Sequence, residues 1–212
     1  MRVRLPFFKT GFRIRMDFNK NKSQEENFIA QDSQEALIKY LSDPDPYVRA
    51  ISAEVLSRVG DGGALDPLVE ALKDDSWPVR EKAVLALGRL KNKKAVPNLI
   101  GMLSDDQEAV RVAAAGVLGH LKDNAAVPAL IQALNDCSAH ARAKAIISLG
   151  IIGDQRAIPP LYKCTQDPLE TIRRYSCEAL ADIGNAAIPA LLLVLKDEKA
   201  RTFATEALMK VR

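Results

Sequence analysis

The chain has few aromatic residues. Phenylalanine, tryptophan and tyrosine make up 5% of the sequence, although 48% of its residues are hydrophobic. A core built from alanine, leucine, valine and isoleucine suits thin, closely stacked helices, because small side chains let neighbouring backbones approach. The composition therefore favours stacked helices over a compact domain with a thick aromatic core.

Cysteine is also scarce. The three cysteines, Cys137, Cys164 and Cys177, show no CxxC spacing, and an odd number without close pairs is typical of a reducing compartment. No run approaches the roughly 18 apolar residues of a membrane span, and no apolar stretch of a secretory signal follows the basic start. We therefore expect a cytoplasmic protein.

Residues with catalytic or metal-binding chemistry are few. The two histidines, His120 and His140, are 20 residues apart, and nothing beside them supplies the three or four ligands that zinc needs. The chain has no Gly-rich phosphate loop and no G-x-S-x-G motif. The neighbours of Cys137 do not favour a thiolate. We predict no catalytic residue, metal or cofactor, and favour a function other than catalysis.

Charge is distributed unevenly. Residues 1–22 contain seven basic residues and one acidic residue, a net charge of +6. Because the whole chain carries +3, the remaining 190 residues carry −3. A mildly acidic body is not the electrostatic footprint of a nucleic-acid-binding protein, so the sequence argues against nucleic acid as the partner.

A repeat of 31 residues dominates the sequence. One leucine recurs at Leu37, Leu68, Leu99, Leu130, Leu161 and Leu191. An aspartate recurs at Asp43, Asp74, Asp105, Asp136, Asp167 and Asp197. An arginine recurs at Arg49, Arg80, Arg111, Arg142, Arg173 and Arg201, with the last step two residues shorter. A fixed period of this length predicts a stacked array of similar units.

Each unit has the pattern of two helices. Prolines recur in the first turn of the first helix, where the missing N–H has no helical partner. The second helix carries apolar residues three or four positions apart, such as Val110, Ala114 and Leu118. We expect the loop between the helices, such as residues 104–108, to supply capping oxygens. Glycines, or Lys91 and Lys122 in two units, are expected to end the second helices in a left-handed conformation.

The repeat resembles a known family. The segments 126–136 and 141–150 look like the HEAT-like repeat named after the phycobilisome lyases, and the resemblance covers residues 34–212. It implies an all-α fold, a right-handed α-solenoid of about six HEAT-like helix pairs. The predicted domain covers residues 28–212, with approximate repeats at 34–62, 64–93, 95–124, 126–155, 157–185 and 187–212.

The same resemblance leaves function open. Similar repeats occur in bilin lyases, in deoxyhypusine hydroxylase, in DNA-repair glycosylases and in many scaffolds, and a shared fold does not settle function. Deoxyhypusine hydroxylase holds two irons through repeated His-Glu pairs. This chain has no His-Glu dipeptide, so that activity is excluded.

The repeated aspartate and arginine have a structural interpretation. A residue needed once for chemistry would not recur in every unit. We therefore predict that they form a ladder of side-chain bonds between the inter-helix loops of neighbouring repeats, with the aspartate also capping helices.

The second helices are expected to line a concave groove. Its solvent-facing positions are the first, second, fifth and ninth residues after the repeated arginine. The predicted partner-binding residues are Lys82, Leu85, Arg89, Val112, Ala113, Gly116, His120, Lys144, Ile147, Ile151, Tyr175 and Glu178. The middle of this set is nearly uncharged, as expected for a protein-binding site. The alternative is that curvature packs these residues against the neighbouring repeat.

Residues 1–18 do not follow the repeat. Apolar residues at alternate positions flank Lys9-Thr10-Gly11, a pattern that predicts a β-hairpin with one aromatic and one basic face. Residues 19–27 have the composition of a polar linker. Three interpretations of this tail, residues 1–27, are open: a cap on the first repeat, an attachment to an acidic partner or membrane surface, or a disordered extension.

The leading functional prediction is a protein–protein interaction scaffold that binds a partner segment in its groove. The first alternative is a bilin lyase or pigment-protein chaperone subunit, in which the groove would hold a tetrapyrrole. The second alternative is a DNA-binding HEAT-like protein, which would need a basic groove.

Overall fold

The computed structural model describes residues 33–59 and 62–211. The described residues form twelve α-helices and contain no strand. In chain order the helices are α1 (33–40), α2 (Pro46–Val59), α3 (Leu65–Ala71), α4 (Trp77–Leu90), α5 (Val96–Gly101), α6 (Glu108–Leu121), α7 (Val127–Ala133), α8 (Ala139–Ile152), α9 (Ile158–Cys164), α10 (Glu170–Ile183), α11 (Ile188–Val194) and α12 (Arg201–Lys210). The predicted hairpin in residues 1–18 and the predicted linker 19–27 lie outside the described residues.

The helices are arranged as a solenoid of helix pairs. Each pair has a short first helix and a longer second helix, and the second helices α2, α4, α6, α8, α10 and α12 pack on one another in chain order. Proline occupies the first turn of α5, α7, α9 and α11, as the sequence predicted. The prediction of an all-α solenoid is confirmed.

The core is continuous along the array. The repeated leucine is fully buried in the second to sixth repeats, at Leu68, Leu99, Leu130, Leu161 and Leu191. Burying a leucine stabilises a fold by about 1.5–3 kcal/mol. Alanines on the second helices, including Ala83, Ala114 and Ala145, are fully buried as well. A repeat buries these faces only by contacting its neighbours, so the array is stable as a stack.

The C-terminal ends of three second helices have the predicted left-handed residue, whereas the capping predicted at the N-terminal ends is only partly present. Lys91 and Lys122 adopt left-handed conformations with φ of 51° and 49°, and Gly153 does so with φ of 78°. The predicted capping of the second helices was wrong for α6, because no side chain of the preceding loop caps its first turn. Among the second helices with a described cap, only α8 has one from a side chain, that of Ser138.

The repeated aspartates instead stabilise the loop ahead of each second helix. Asp136 Oδ1 accepts a hydrogen bond of 2.8 Å from the backbone N–H of Ser138. Asp105 does the same for Gln107 at 2.9 Å. This local bond, from an N–H two residues further along the chain, fixes a turn and leaves the second carboxylate oxygen available for another donor.

Arginines of the preceding repeat supply that donor. Arg111 Nε lies 2.7 Å from Asp136 Oδ2, and Arg111 Nη2 lies 3.0 Å from Oδ1, a bidentate pair. Arg111 Nη1 donates to the carbonyl oxygens of Asp105 and Asp106 in its own loop. The pairs Arg49–Asp74 and Arg80–Asp105 repeat this geometry. The predicted ladder between neighbouring repeats is confirmed.

The ladder loosens towards the C-terminal repeats. Arg142 Nε lies 3.7 Å from Asp167 Oδ2. Arg173 Nε donates to the carbonyl oxygen of Lys199 at 3.4 Å, because the loop of the last repeat is two residues shorter. The three N-terminal bidentate pairs are therefore the strongest charged contacts between repeats.

Acid is expected to weaken this ladder. The hydrogen bonds from Arg111 hold the pKa of Asp136 below its ordinary value, although burial acts in the opposite direction. A carboxylate with a lowered folded-state pKa stabilises the fold above its unfolded pKa of about 3.9. That contribution is lost as pH falls through the folded-state pKa. Urea unfolding between pH 7 and pH 2 measures the effect.

A matched pair of variants isolates the ladder from general acid effects. Asp136→Asn should lower the free energy of unfolding at pH 7 and flatten its pH dependence below about pH 4. Asp182→Asn removes an exposed carboxylate that makes no ion pair with a described residue, and should leave the profile unchanged. An equal flattening by both substitutions would show that the ladder is not the titrating element.

Candidate partner-binding pocket

An open pocket of about 740 Å³ lies across the second helices α4, α6 and α8. We call it the central pocket. Its lining residues are Trp77, Glu81, Leu85, Gln107, Glu108, Ala109, Val112, Ala113, Gly116, Val117, His120, His140 and Lys144. The structure thus brings together six of the twelve residues predicted from the sequence: Leu85, Val112, Ala113, Gly116, His120 and Lys144. Its volume is in the range of pockets that bind ligands, about 300–1,000 Å³.

The floor of the central pocket is apolar. Leu85, Val112 and Ala113 are half-buried, so each keeps part of its side chain accessible. Trp77, the first residue of α4, stands at the side with 42% of its surface exposed. Large aromatic side chains with partial exposure frequently dominate the binding energy of protein interfaces. The floor and Trp77 together form an accessible apolar surface.

Trp77 lies outside the predicted set, although the sequence contains a signal for it. The predicted groove positions all follow the repeated arginine, and Trp77 precedes Arg80. Trp77, Glu81 and Leu85 are spaced four residues apart, and residues at that spacing share one face of a helix. Extending the predicted face by one turn towards the helix start would have included the tryptophan.

A polar cluster forms another side of the central pocket. Glu108 Oε1 accepts a hydrogen bond of 2.7 Å from the Ser138 hydroxyl and lies 2.9 Å from Nδ1 of His140. The Ser138 hydroxyl oxygen also accepts from the backbone N–H groups of His140 and Ala141 at the start of α8. The Ser138 and His140 contacts lower the pKa of Glu108, so this side stays anionic near neutral pH.

Gly116 lies at the centre of the floor. A Cβ atom at Gly116 would lie 3.3 Å from Cδ of Lys144, a flexible side chain that can move aside. The Gly116 carbonyl oxygen lies 2.8 Å from Nδ1 of His120. The backbone therefore forms part of the pocket floor at Gly116, and the aliphatic part of the Lys144 side chain lies nearest to it.

The other six predicted residues lie outside the central pocket. Arg89 lines a smaller adjoining pocket and donates to the Ser57 hydroxyl at 3.1 Å. Lys82 forms a 2.7 Å ion pair with Glu54. Tyr175 lies beneath the guanidinium of Arg174, 5.1 Å from the ring centroid. Half-buried residues outside both pockets complete the set: Ile147, Ile151 and Glu178.

Packing against the neighbouring repeat does not hide the predicted surface. Each of the twelve residues is half-buried or exposed, and none is fully buried. Packing against the neighbouring repeat therefore covers these residues only in part. Whether the accessible part binds a partner remains a prediction.

The charges of the central pocket do not suit a phosphate backbone. Glu81 and Glu108 contribute two carboxylates, and Lys144 contributes one ammonium group. Nucleic-acid-binding surfaces neutralise phosphates with clusters of lysine and arginine. The charge balance therefore argues against DNA in this pocket.

The structure also shows the surroundings of the cysteine thiols and of potential metal ligands. Burial raises the pKa of the Cys177 thiol to about 12, whereas Cys137 is exposed. In the part of the chain that the structure describes, no three histidine, cysteine or acidic side chains converge as a metal site would require. Within the same residues, no helix is long and apolar enough to span a bilayer.

Comparison with known families identifies the class of protein. The chain matches the family model of HEAT repeats over residues 34–111, 65–140, 102–181 and 127–212. Together these matches cover all six helix pairs. The chain therefore belongs to the HEAT repeat family. A comparison with curated proteins gave no match.

Several solved structures share this architecture. The complex of CpcE and CpcF of phycocyanin lyase from Nostoc sp. PCC7120 is similar over 94% of this chain and 80% of that chain, with 27% identity and a TM-score of 0.64. Computationally designed armadillo repeat proteins for modular peptide recognition are similar over 84% of this chain and 99% of that chain, with 23% identity and a TM-score of 0.57. At this identity the armadillo designs show a shared fold alone.

Proposed function

We propose that this chain is a cytoplasmic protein–protein interaction scaffold that binds a segment of a partner protein in the central pocket. The observation that carries the proposal is an accessible apolar floor between anionic and basic side chains, on helices that their neighbours hold in place. Such a surface suits an amphipathic helix or an edge of a protein with apolar residues towards the floor. The proposal needs no catalytic group.

The physical basis is desolvation of the floor. A partner that covers Leu85, Val112 and Trp77 gains roughly 25 cal/mol for each Å² of apolar surface removed from water. Part of that gain offsets the loss of translational and rotational freedom on association. Glu81 and Lys144 at the edge would then favour partners with complementary charges, which mainly raises specificity and the association rate.

Gly116→Trp tests this assignment. A random peptide library is panned against the full chain, and the selected peptides are measured by fluorescence anisotropy. An indole at the centre of the floor occupies the volume a ligand would fill, so affinity should fall at least about tenfold, or roughly 1.4 kcal/mol. The fold should be retained, because the side chain nearest to a Cβ at Gly116 is the movable Lys144.

Gly101→Trp is the matched control. Gly101 is also helical, and it is exposed whereas Gly116 is half-buried; a Cβ atom at Gly101 would have nothing within 4 Å. It lies on α5 and lines a different pocket, so this variant should bind the selected peptides with unchanged affinity. Equal affinity of the Gly116→Trp variant, or a failure to select any peptide that distinguishes it, would refute the proposed function.

A second candidate function is a subunit of a phycocyanin lyase or a related pigment-protein chaperone. The observation that favours it is the likeness to the phycocyanin lyase complex, which extends over 94% of this chain. The apolar floor, His120 and the neighbouring Arg89 would contact a tetrapyrrole and its carboxylates. Under this alternative, mixing the chain with a bilin produces a shifted visible absorbance band that Gly116→Trp abolishes.

A further inference from the structure

The first repeat exposes an apolar stripe whose counterparts in inner repeats are less exposed or less apolar. Tyr47, Ile51, Val55 and Val59 follow one another at intervals of four along α2, and so share one face. Tyr47 is 71% exposed and Val59 is 48% exposed, whereas Leu121, two repeats further on at the position of Val59, is 7% exposed. We call these four residues the α2 stripe.

In inner repeats, the position of Val55 is buried by contacts that the first repeat lacks. Val117 occupies on α6 the position of Val55, and its methyl groups lie against Gly88 of the preceding second helix, where a Cβ would approach within 2.7 Å. Ala86 and Ser148, at the same position in their own repeats, are 1% exposed. The position of Val55 is therefore one that a preceding element covers, whereas the positions of Tyr47 and Ile51 remain accessible in inner repeats.

The ladder is also incomplete at this edge. Asp74, Asp105 and Asp136 each receive a bidentate arginine from the preceding repeat. Asp43 accepts the backbone N–H of Asp45, but no arginine side chain among the described residues reaches its carboxylate. The edge thus combines apolar surface with a carboxylate whose ladder partner is missing.

The chain that leads into α1 has complementary chemistry. Residues 1–22 carry a net charge of +6. Between Phe12 and Phe18, apolar residues alternate with Arg13, Arg15 and Asp17. The α2 stripe spans twelve residues of helix, or about 18 Å at 1.5 Å per residue. Residues 12–18 in an extended conformation span about 20 Å at 3.3 Å per residue, so the two lengths match.

We propose that residues 12–18 of the same chain cover the α2 stripe and that an arginine of this segment pairs with Asp43. Phe12, Ile14, Met16 and Phe18 lie towards the stripe, and the arginines lie at its side. The linker from residue 19 to residue 32 reaches about 45 Å when extended, which allows the segment to fold back onto the adjacent α2. A chain that ends its own array in this way has the terminal cap that solenoids need.

Photo-crosslinking of the full chain tests the contact. A benzophenone amino acid replaces Tyr47, and mass spectrometry locates the crosslinks it forms on irradiation. A mixture of isotopically light and heavy chains separates crosslinks within a chain from those between two chains. The control position is Thr171, which is the exposed residue at the position of Tyr47 in the fifth repeat.

The proposal expects crosslinks within one chain from position 47 to residues 12–18, and none to that segment from position 171. It is overturned if position 47 does not reach residues 12–18. It is equally overturned if the crosslinks join two chains, because a second copy is then the occupant.

Thermal unfolding gives an independent measurement. Serine at positions 12, 14, 16 and 18 of the full chain should lower the Tm by roughly 2–4 °C, the shift expected when a chain of this size loses a modest apolar contact. The same serines in an Ile51→Lys, Val59→Lys background should change the Tm little further, because the covered surface is already removed. Lysine occurs at the position of Ile51 in two inner repeats, at Lys82 and Lys144.

Equal shifts in both backgrounds, or no shift in either, would overturn the proposed contact. These outcomes do not depend on the central pocket. Peptides that bind the full chain and are lost on Gly116→Trp would still establish the proposed function, whichever result the crosslinks give.

Discussion

Replacing Arg111 with alanine should lower the free energy of unfolding by about 2–4 kcal/mol. Arg111 bonds Asp136 through two nitrogens and two backbone carbonyls through a third. The pair is largely shielded, with 12% of the Arg111 side chain and 8% of the Asp136 side chain accessible. The truncation leaves a shielded carboxylate without its charged donor, which costs more than the lost bonds alone. Urea unfolding followed by circular dichroism measures the change.

Arg156→Ala provides the comparison for Arg111. Arg156 also pairs with an aspartate, Asp154, at 2.7 Å, but its side chain is 56% exposed and the pair lies within a single turn. Water competes for the exposed guanidinium, although Asp154 is only 13% accessible, so this variant should lose less stability than Arg111→Ala. If the two variants lose similar stability, position in the ladder is not what makes Arg111 important.

Gly119→Ala should lower the free energy of unfolding by roughly 1–3 kcal/mol, the range found when atoms are forced into a packed core. A Cβ atom at Gly119 would lie 2.9 Å from Cα of Ser148 and still closer to its side chain. Backbone cannot move aside as the end of a side chain can. Relieving the overlap would separate α6 from α8 and stretch the 2.7 Å bond from the Ser148 hydroxyl to the Ala115 carbonyl oxygen.

Gly116→Ala, three residues earlier on the same helix, should instead raise the free energy of unfolding. Its Cβ would meet the Lys144 side chain at 3.3 Å, which can shift. Alanine stabilises a helix interior by roughly 0.5–1 kcal/mol relative to glycine. The expected pattern is therefore a loss at Gly119 and a small gain at Gly116. Losses of equal size at both positions would show that helix packing does not distinguish them.

The fold was predictable because each sequence feature that indicates a helix recurs at the same position in successive repeats. A single proline or leucine says little, but the same residue at steps of 31 fixes the helix boundaries in every unit. The ladder was predictable for the same reason. Capping was predictable only in part, since a loop rich in aspartate offers several local bonds: Ser138 caps α8, but Asp105 forms a turn with Gln107 and no side chain caps α6.

The candidate site was predicted only in part. Counting from the repeated arginine assumed that every repeat contributes equally to the groove, which placed Ile147, Ile151 and Tyr175 in the set. The central pocket instead lies across α4, α6 and α8. Its position depends on side chains that do not repeat, such as Trp77 and Glu108, and a periodic argument cannot select them.

The ladder also bears on how arrays of this kind change length. Arg49, Arg80 and Arg111 each bond an aspartate 25 residues further on, so each of these contacts joins two neighbouring units. Removing residues 81–111 would place Arg80 at the same spacing before Asp136, and duplicating that stretch would add one complete contact. A gain or loss of one whole unit inside the array therefore leaves no charge unmatched. Evolution can lengthen or shorten such an array in steps of one repeat, without changing the contacts that join neighbouring units.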